Sequence, residues 1–486
     1  MTKFIQGGLV LILLLSLFLP RVLNLSAFQT ADEKRWVSNT VGFITNLAHG
    51  DLSHLMQQPH PGITTQWLGS ATVFSSSWAI RKLPLVLAQS LLVLLIGYSL
   101  LRLLDQRTAY ISTLLLALNP LLIAHTRIYA MDSLLSLFLL LSILLLFLWS
   151  KTNSRRYIAF AAFTAAAAVL SKLSGLLIVP FSILLIFYLS YTNHHPNSDR
   201  PAAFPWRPLL IWTLLFLISL VLILPSLAFN PSLVISDMVS WFKSDDYQLH
   251  QIGPVFYLGT LAFLSTPLHL FAVLLLPVLL YKKYFNHPSK KLLIALLLFS
   301  LTFLVMMSLG AKKGDRYILP DFLALDIITG LIVSWLFTQN IRRISVKVAC
   351  LSILALLIMQ TYHVASLHPH ELSYINPITR PWLGERRLGW GEGLDLAAAF
   401  LNNLPQADSL TIASYYPNEF QSNFVGHTVP IHQHDSPGVD YVIIYRAMFE
   451  RGQSAWETDV VNIYRPQTPQ KIIIIASVPM AWIYQK

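Results

Sequence analysis

The stretch from Ser133 to Trp149, SLLSLFLLLSILLLFLW, contains no charged residue and is almost entirely apolar. Its length is close to the about 20 residues that a helix needs to cross a bilayer. Ten further apolar stretches lie along the chain, so the sequence predicts about eleven membrane spans. The predicted spans are residues 4–24, 83–101, 108–125, 133–149, 156–171, 173–191, 208–228, 254–281, 291–309, 322–338 and 346–364.

The composition supports a polytopic membrane protein. Hydrophobic residues make up 55% of the 486 residues and charged residues only 12%, about half the charged share of a soluble domain. The net charge of +11 is spread over short loops, which indicates membrane topology rather than binding to nucleic acid. Cys350 is the single cysteine, so the chain cannot form an internal disulfide.

The loops between the predicted spans alternate in charge. One set is basic with almost no acid, which is typical of cytoplasmic loops: Arg102, Arg107, Lys151, Arg155, Arg156, Lys282, Lys283, Lys290, Lys291, Arg342, Arg343 and Lys347. The other set contains nearly all the loop acids together with several basic residues. Its members are Asp32, Glu33, Asp51, Arg127, Asp132, Lys172, Asp237, Asp245, Asp246, Lys312, Lys313, Asp315 and Arg316. An odd number of spans then predicts a cytoplasmic amino terminus, with the loop 25–82 and the carboxyl terminus outside.

The composition changes after about residue 365, where polar residues and short β-like runs replace the long apolar stretches. The predicted fold class is therefore mainly α, with a transmembrane domain over 1–365 and a small extracytoplasmic α/β domain over 366–486. The predicted elements of this tail are a helix over Gly393–Asn403 and strands over Ser409–Tyr415, Asp440–Tyr445 and Ile472–Ser477.

Charged residues lie next to predicted helix ends in the outer loops. Each of them also has a structural explanation that requires no role in catalysis or binding. Asp32 and Glu33 can simply begin an amphipathic helix, because acids are favoured in a first turn. Asp132 can be an N-cap with Arg127 as a partner at a helix end. Lys172 can be a lysine that extends from the apolar region toward water.

Lys312, Lys313 and Arg316 are basic residues on the predicted outer side, against the usual charge bias. An anionic partner would compensate them. Carboxylates that accept a proton, together with cations that hold a phosphate, are what sugar transfer from a lipid phosphate requires. The sequence therefore predicts this chemistry at the outer face.

Short motifs occur in order, one group in each outer loop, over roughly the first 340 residues. They are Asp32-Glu33 and His60-Pro61, Arg127 with Asp132, Ser171-Lys172 through Gly175, and Arg316-Tyr317 with Pro320. With these motifs the chain resembles the GT-C membrane glycosyltransferases, in the branch of the dolichyl-phosphate-mannose protein mannosyltransferases and the bacterial aminoarabinose transferase of lipid A. His60-Pro61-Gly62 departs from the His-Pro-Pro pattern of the mannosyltransferases, and no loop is long enough for their soluble repeats.

The tail resembles the outer domain of some bacterial members. The residues that carry this resemblance are His368-Pro369, Tyr374 to Pro377, Trp390 to Asp395, and Asp440-Tyr441. Turns and packing are the favoured interpretation of these residues.

The resemblance implies an inverting transfer from a polyprenyl-phosphate sugar to an acceptor hydroxyl, with Asp32 as the general base. The other implied roles are acceptor orientation or metal binding for Glu33 and Asp132, donor phosphate binding for Lys172, Arg316 and Arg127, and donor or acceptor contacts for His60, Asp132 and Tyr317. A divalent cation is one candidate cofactor, with Glu33, Asp132 and His60 as its candidate ligands. The expected partners are the lipid-linked donor, a glycan, lipid or protein acceptor and the bilayer, in a bacterial plasma membrane with the site outside.

Two alternatives remain at this point. A secondary transporter would also have many spans and intramembrane charges, although here the charges cluster at helix ends on one face and no inverted repeat is visible. A non-catalytic member of the family would serve as a scaffold, although the acid pair and the cations are both retained.

Overall fold

The computed structural model describes residues 3–56, 58, 60–192, 204–240, 253–281, 287–310, 312–339, 344–383, 389–450 and 455–486. The helices of the first part are α1 (Lys3–Val22), α2 (Glu33–Ala48), α3 (Ile63–Gly69), α4 (Trp78–Leu103), α5 (Gln106–Ala117), α6 (Pro120–Thr126), α7 (Asp132–Thr152), α8 (Arg155–Ser171), α9 (Ile178–Thr192), α10 (Trp206–Ile223), α11 (Ser226–Phe229), α12 (Pro231–Ser240), α13 (Phe256–Leu264), α14 (Pro267–Tyr281), α15 (His287–Leu309), α16 (Leu319–Thr338) and α17 (Ile344–Leu367). The predicted loop residues Asp245, Asp246, Lys282, Lys283, Arg342 and Arg343 lie outside the described residues.

Within the described residues, seven helical segments are long and apolar enough to cross a membrane. Two bent pairs of helices, α5 with α6 and α13 with α14, raise the number to nine if each pair is one span. The prediction of about eleven spans also counted α1, which is apolar over Gly7–Val22, and α8, which has 17 residues. The predicted fold class, a mainly helical polytopic membrane protein, is confirmed.

Two helices form the centre of the bundle. The membrane-spanning window of Asp132–Thr152 is 83% buried and that of Asp315–Thr338 is 89% buried, whereas Lys347–Leu367 is only 17% buried. A helix that is apolar on all faces is stable when other helices surround it. The uncharged stretch from Ser133 to Trp149 is therefore placed at the core of the protein.

The side chain of Asp326 on α16 contacts a residue of each bent pair. Asn119 occupies the first break, where its Oδ1 accepts the N–H groups of Leu121 and Leu122, and its Nδ2 donates to Asp326 over 2.7 Å. His269, just after the second break, contacts the other oxygen of Asp326 through Nε2 at 2.7 Å. Asp326 thus holds two interrupted helices against the central one.

The tail contains a five-stranded sheet with the order β2-β1-β3-β5-β4. Its strands are β1 (Thr411–Ser414), β2 (His427–Pro430), β3 (Tyr441–Tyr445), β4 (Lys471–Ile475) and β5 (Val478–Gln485), and its helices are α18 (Arg380–Leu383), α19 (Leu394–Asn402), α20 (Pro417–Gln421), α21 (Ala447–Glu450) and α22 (Ala455–Tyr464). β1 pairs in parallel with β2 and β3, and β5 pairs antiparallel with β3 and β4.

The three predicted strands and the predicted helix of the tail are confirmed as β1, β3, β4 and α19. The sequence analysis missed β2 and β5, which both contain a proline. The boundary predicted at residue 365 falls in the last turn of α17. That the tail is an independent domain stays a prediction.

Candidate active site

Asp32 occupies the position before the first residue of α2, and its carboxylate makes no capping hydrogen bond there. The side chain instead accepts a hydrogen bond from Nη2 of Arg316 at 3.0 Å. It is 38% exposed, so the carboxylate can be reached from outside. A role limited to beginning the helix does not account for this arrangement.

Asp132 begins α7 and is buried, with Met131 in the capping position. Its Oδ1 accepts a hydrogen bond from Lys172 Nζ at 2.7 Å, and its Oδ2 lies 3.5 Å from Nε of Arg316. The first turn of a helix favours a carboxylate, because the unpaired N–H groups there carry partial positive charge. Asp132 therefore holds two cations in fixed positions instead of capping its helix.

Lys172 lies at the end of α8, where the chain turns into a 3-10 helix over Leu173–Leu177. Its ammonium lies 3.8 Å from the centre of the Tyr317 ring, and its side chain is buried. Gly175 allows this turn, since a Cβ at that position would lie 2.6 Å from the carbonyl oxygen of Ala168. Lys172 is thus a buried, paired cation rather than one that extends toward water.

Arg316 lies in a 3-10 helix over Asp315–Ile318, immediately before α16. Its guanidinium contacts Asp32 and Asp132 along its edge, and the Trp390 ring lies 3.9 Å from Cζ on its face. The structure therefore brings together Asp32, Asp132, Lys172, Arg316 and Tyr317, from four separate parts of the chain. We call these five residues the charged cluster.

His60 lies beside the charged cluster in a region of positive potential. Burial is the main cause that lowers the pKa of His60 to about 3, and the cations Lys172, Arg35 and Lys312 lower it further, against a smaller opposing effect of Asp132. His60 is therefore neutral at physiological pH. An anion bound here would relieve the excess of positive charge.

The departure at Gly62 from the His-Pro-Pro pattern has a structural reason. Gly62 has a φ of +56°, and a Cβ at this position would lie 2.3 Å from the Trp36 ring. Proline, with φ locked near about −65°, cannot adopt this conformation. The N–H of Gly62 donates to the carbonyl oxygen of Ser171 at 3.1 Å, which joins the His60 loop to the Lys172 turn.

Comparison with known proteins identifies a similar family of sequences and a similar fold. The family model for dolichyl-phosphate-mannose-protein mannosyltransferases matches residues 63–229. The crystal structure of ArnT from Cupriavidus metallidurans bound to undecaprenyl phosphate superposes with a TM-score of 0.56 at 13% identity, covering 99% of this chain and 98% of that one. The apo structure of the same protein gives 0.55 at 14% identity, with the same coverage. No curated protein matches the sequence significantly.

The chain has the GT-C fold. The resemblance to this superfamily, and to its branch of mannosyltransferases and ArnT-like proteins, is confirmed.

Glu33 points away from the charged cluster, although it follows Asp32 directly. It is fully buried, and its Oε1 accepts a hydrogen bond from the Tyr129 N–H at 2.7 Å and lies 2.9 Å from Lys82 Nζ. Its Oε2 accepts a hydrogen bond from the Thr30 N–H at 2.8 Å. These contacts engage both oxygens, so we expect Glu33 to fix the loop that presents Asp32.

Replacing Glu33 with Gln is expected to destabilise the protein by about 3–5 kcal/mol, because Lys82 is then a buried charge without its partner. Thermal unfolding of the purified protein in detergent measures the effect. Adding Lys82→Met removes the unpaired charge and should recover much of the loss. An unchanged unfolding temperature in Glu33→Gln would contradict this role.

Arg127 is not part of the charged cluster. Its guanidinium donates to the carbonyl oxygens of Pro20, Leu23 and Asn24. Its Nε lies 3.5 Å from the Glu371 carboxylate. The structure therefore places Arg127 where it ties the end of α1 to the tail, and the predicted contact with a donor phosphate has no geometric support.

The candidate metal ligands Glu33, Asp132 and His60 do not form a common site. Among the residues that the structure describes, no group of three or more His, Cys, Asp or Glu side chains is arranged to hold a metal ion.

Two residues escaped the sequence analysis as functional candidates: Lys82, which pairs with Glu33, and Trp390, which contacts Arg316. Lys82 lies near the start of a span on the predicted outer side, so the same charge bias that drew attention to Lys312 also applies to it. Trp390 belongs to a motif in the tail that was interpreted as structural. Its contact with Arg316 spans 74 residues of sequence, and no local pattern indicates such a contact.

Proposed function

We propose that the protein is a membrane glycosyltransferase that moves a sugar from a polyprenyl-phosphate donor to an acceptor hydroxyl. The contact that carries this proposal joins the half-exposed carboxylate of Asp32 to the guanidinium of Arg316 at 3.0 Å. A base for the acceptor and a cation for the leaving phosphate are thereby adjacent, which is what a direct displacement requires.

In the proposed reaction, Asp32 takes the proton of the acceptor hydroxyl. The acceptor oxygen forms a bond to the anomeric carbon of the sugar, and the bond from that carbon to the phosphate oxygen breaks. The electron pair of this bond leaves with the polyprenyl phosphate. A single displacement of this kind inverts the anomeric configuration.

Arg316 and Lys172 would stabilise the charge that develops on the phosphate, because charge-assisted hydrogen bonds are strongest in a preorganised site. Nη1 of Arg316 forms no hydrogen bond with any residue that the structure describes. This leaves donors available for a ligand. Asp132 would keep both cations in place, while Tyr317 and His60 would line the donor site.

The comparisons support the class of donor. ArnT, which shares the fold over nearly its whole length, is described as bound to undecaprenyl phosphate. The matching family model carries the name of a dolichyl-phosphate-mannose-dependent enzyme. Both ligands are polyprenyl phosphates, so we propose this class for the present chain.

Incubation of the purified protein with a panel of labelled polyprenyl-phosphate sugars and a membrane extract as the source of acceptor tests the proposal. Transfer of label from one donor is the expected result. The absence of transfer from every donor, with folded protein, would reject the proposed activity and favour the transporter or scaffold alternative.

We further propose that the site faces outward from a bacterial plasma membrane. Single cysteines introduced at Asp51 and Gln433, in a Cys350→Ser background, should then react with an impermeant thiol reagent in intact cells. Both positions are exposed. Thr152→Cys at the opposite end of α7 is the matched control, which should react only after lysis. The reverse labelling pattern would overturn the proposed orientation.

A further inference from the structure

The tail contributes one tightly folded loop to the site, Gly389–Gly393, which reads GWGEG and is called the GWGEG loop below. Gly389, Gly391 and Gly393 have φ values of +107°, +128° and +84°. Glycine populates this region at no steric penalty, whereas other residues are strained there. The sequence of the loop is therefore suited to one sharply turned conformation.

The sheet of the tail holds this loop from one side. The hydroxyl of Tyr445, the last residue of β3, accepts a hydrogen bond from the Gly391 N–H at 2.9 Å and lies 3.1 Å from the carbonyl oxygen of Glu392. The Glu392 carboxylate accepts a hydrogen bond from the Trp390 N–H. All three side chains, of Tyr445, Glu392 and Trp390, are buried.

The same loop contacts the backbone beside Asp32 from the other side. The carbonyl oxygen of Trp390 accepts a hydrogen bond from the N–H of Ala31 at 3.1 Å. A Cβ at Gly391 would lie 2.2 Å from the carbonyl oxygen of Gln29. Only glycine permits this close approach, so the loop is fitted to the segment that carries the proposed base.

The Trp390 ring packs on Arg316 itself, with Cζ of the guanidinium 3.9 Å from the ring centre. Arg316 is held at its edge by Asp32 and Asp132 and on its face by Trp390. Two carboxylates and one aromatic ring therefore contact the guanidinium, which leaves the group little freedom to move. A cation–π contact that is shielded from water is worth up to about 2 kcal/mol.

We infer that Trp390 is a positioning residue, which holds Arg316 in the orientation that binds the donor phosphate, so that the tail completes the active site. This inference rests on the proposed function. Without the indole, the guanidinium is free to move toward the two carboxylates and its remaining donors turn away from the phosphate. Trp390→Leu should therefore weaken binding of undecaprenyl phosphate by about threefold to thirtyfold.

Binding of undecaprenyl phosphate to the purified full chain tests the inference. The variants are Trp390→Leu, Trp390→Phe and the control Trp382→Leu, each made in the unaltered chain and in an Arg316→Gln background. Trp382 is also in the tail but is 85% exposed. Trp390→Phe keeps an aromatic face and should retain most of the affinity, while Trp382→Leu should bind as the unaltered chain does.

The Arg316→Gln background separates positioning from a general effect on the fold. If Trp390 acts through Arg316, Trp390→Leu causes no further loss of affinity once Arg316 is absent. An equal loss in both backgrounds overturns the inference and leaves the proposed function intact. If Trp390→Leu does not fold, Trp390→Met, which keeps more of the volume, is subjected to the same comparison.

The two proposals fail in different ways. An unaltered chain that does not bind undecaprenyl phosphate rejects the proposed donor class, and the inference falls with it. If the unaltered chain binds undecaprenyl phosphate and every folded non-aromatic variant at position 390 binds it with the same affinity, only the inference is rejected.

Discussion

Asp32→Asn is expected to lower the turnover of sugar transfer by about a hundredfold to ten-thousandfold, the usual contribution of a positioned general base. Asparagine keeps the size of the side chain, and its carbonyl oxygen can still accept the hydrogen bond from Arg316. It cannot take up the proton of the acceptor hydroxyl. Affinity for the lipid-phosphate donor should therefore persist while turnover falls.

The fold should tolerate this substitution. The carboxylate of Asp32 makes no capping hydrogen bond to α2, and asparagine is in any case about as good at a helix start as aspartate. Asp51→Asn is the matched control, because Asp51 lies in the same predicted outer loop and pairs with His54 at 2.9 Å, both side chains being exposed. Full turnover in Asp32→Asn, measured with a labelled polyprenyl-phosphate sugar, would place the base elsewhere.

Arg316→Gln should produce the second large effect, a loss of donor affinity of roughly tenfold to a hundredfold, since a hydrogen bond to a charged group contributes about 1.5–3 kcal/mol. Glutamine keeps a donor near the position of Nε, which faces Asp132, but carries no charge for the phosphate. Titration of the purified protein with undecaprenyl phosphate gives the affinity. Arg465→Gln, at an exposed arginine of the tail, should leave it unchanged.

Replacing Arg316 should disturb the fold less than replacing Lys172, so Arg316 is the better position for this experiment. Lys172 is buried against Asp132, so Lys172→Ala leaves a buried carboxylate with one partner fewer, and loss of a buried partner destabilises folded proteins by several kcal/mol. Removing both charges together, as Lys172→Met with Asp132→Asn, avoids that penalty. If Arg316→Gln and this double variant both bind the donor as tightly as the unaltered chain does, the donor phosphate does not bind at the proposed site.

The membrane architecture followed from the sequence because apolar length is a local property. A run such as Ser133 to Trp149 must avoid water wherever it lies, and its length already predicted a membrane span. The strands β1, β3 and β4 were recognisable for a similar reason, since each has its own short apolar pattern. The number of spans depends in part on α8, whose 17 residues are close to the lower limit for a helix that crosses a bilayer, about 17 residues.

The roles of neighbouring charges did not follow in the same way. Asp32 and Glu33 are adjacent and chemically alike, yet one contacts Arg316 and the other contacts Lys82. Successive residues at a helix start point in directions about 100° apart, because a helix has 3.6 residues per turn. Only the position of the surrounding helices decides which of the two carboxylates faces the site.

The sequence by itself determined that this chain is a polytopic membrane protein with charged residues at helix ends, and it identified Asp32, Asp132, Lys172, Arg316 and Tyr317 as candidates. The tertiary structure alone decided that these five meet, with Asp32 and Arg316 separated by 284 residues. It also separated Glu33 and Arg127 from them and brought Trp390 to them. Hydrophobic length is encoded locally, whereas a contact between two charged side chains depends on how distant helices pack.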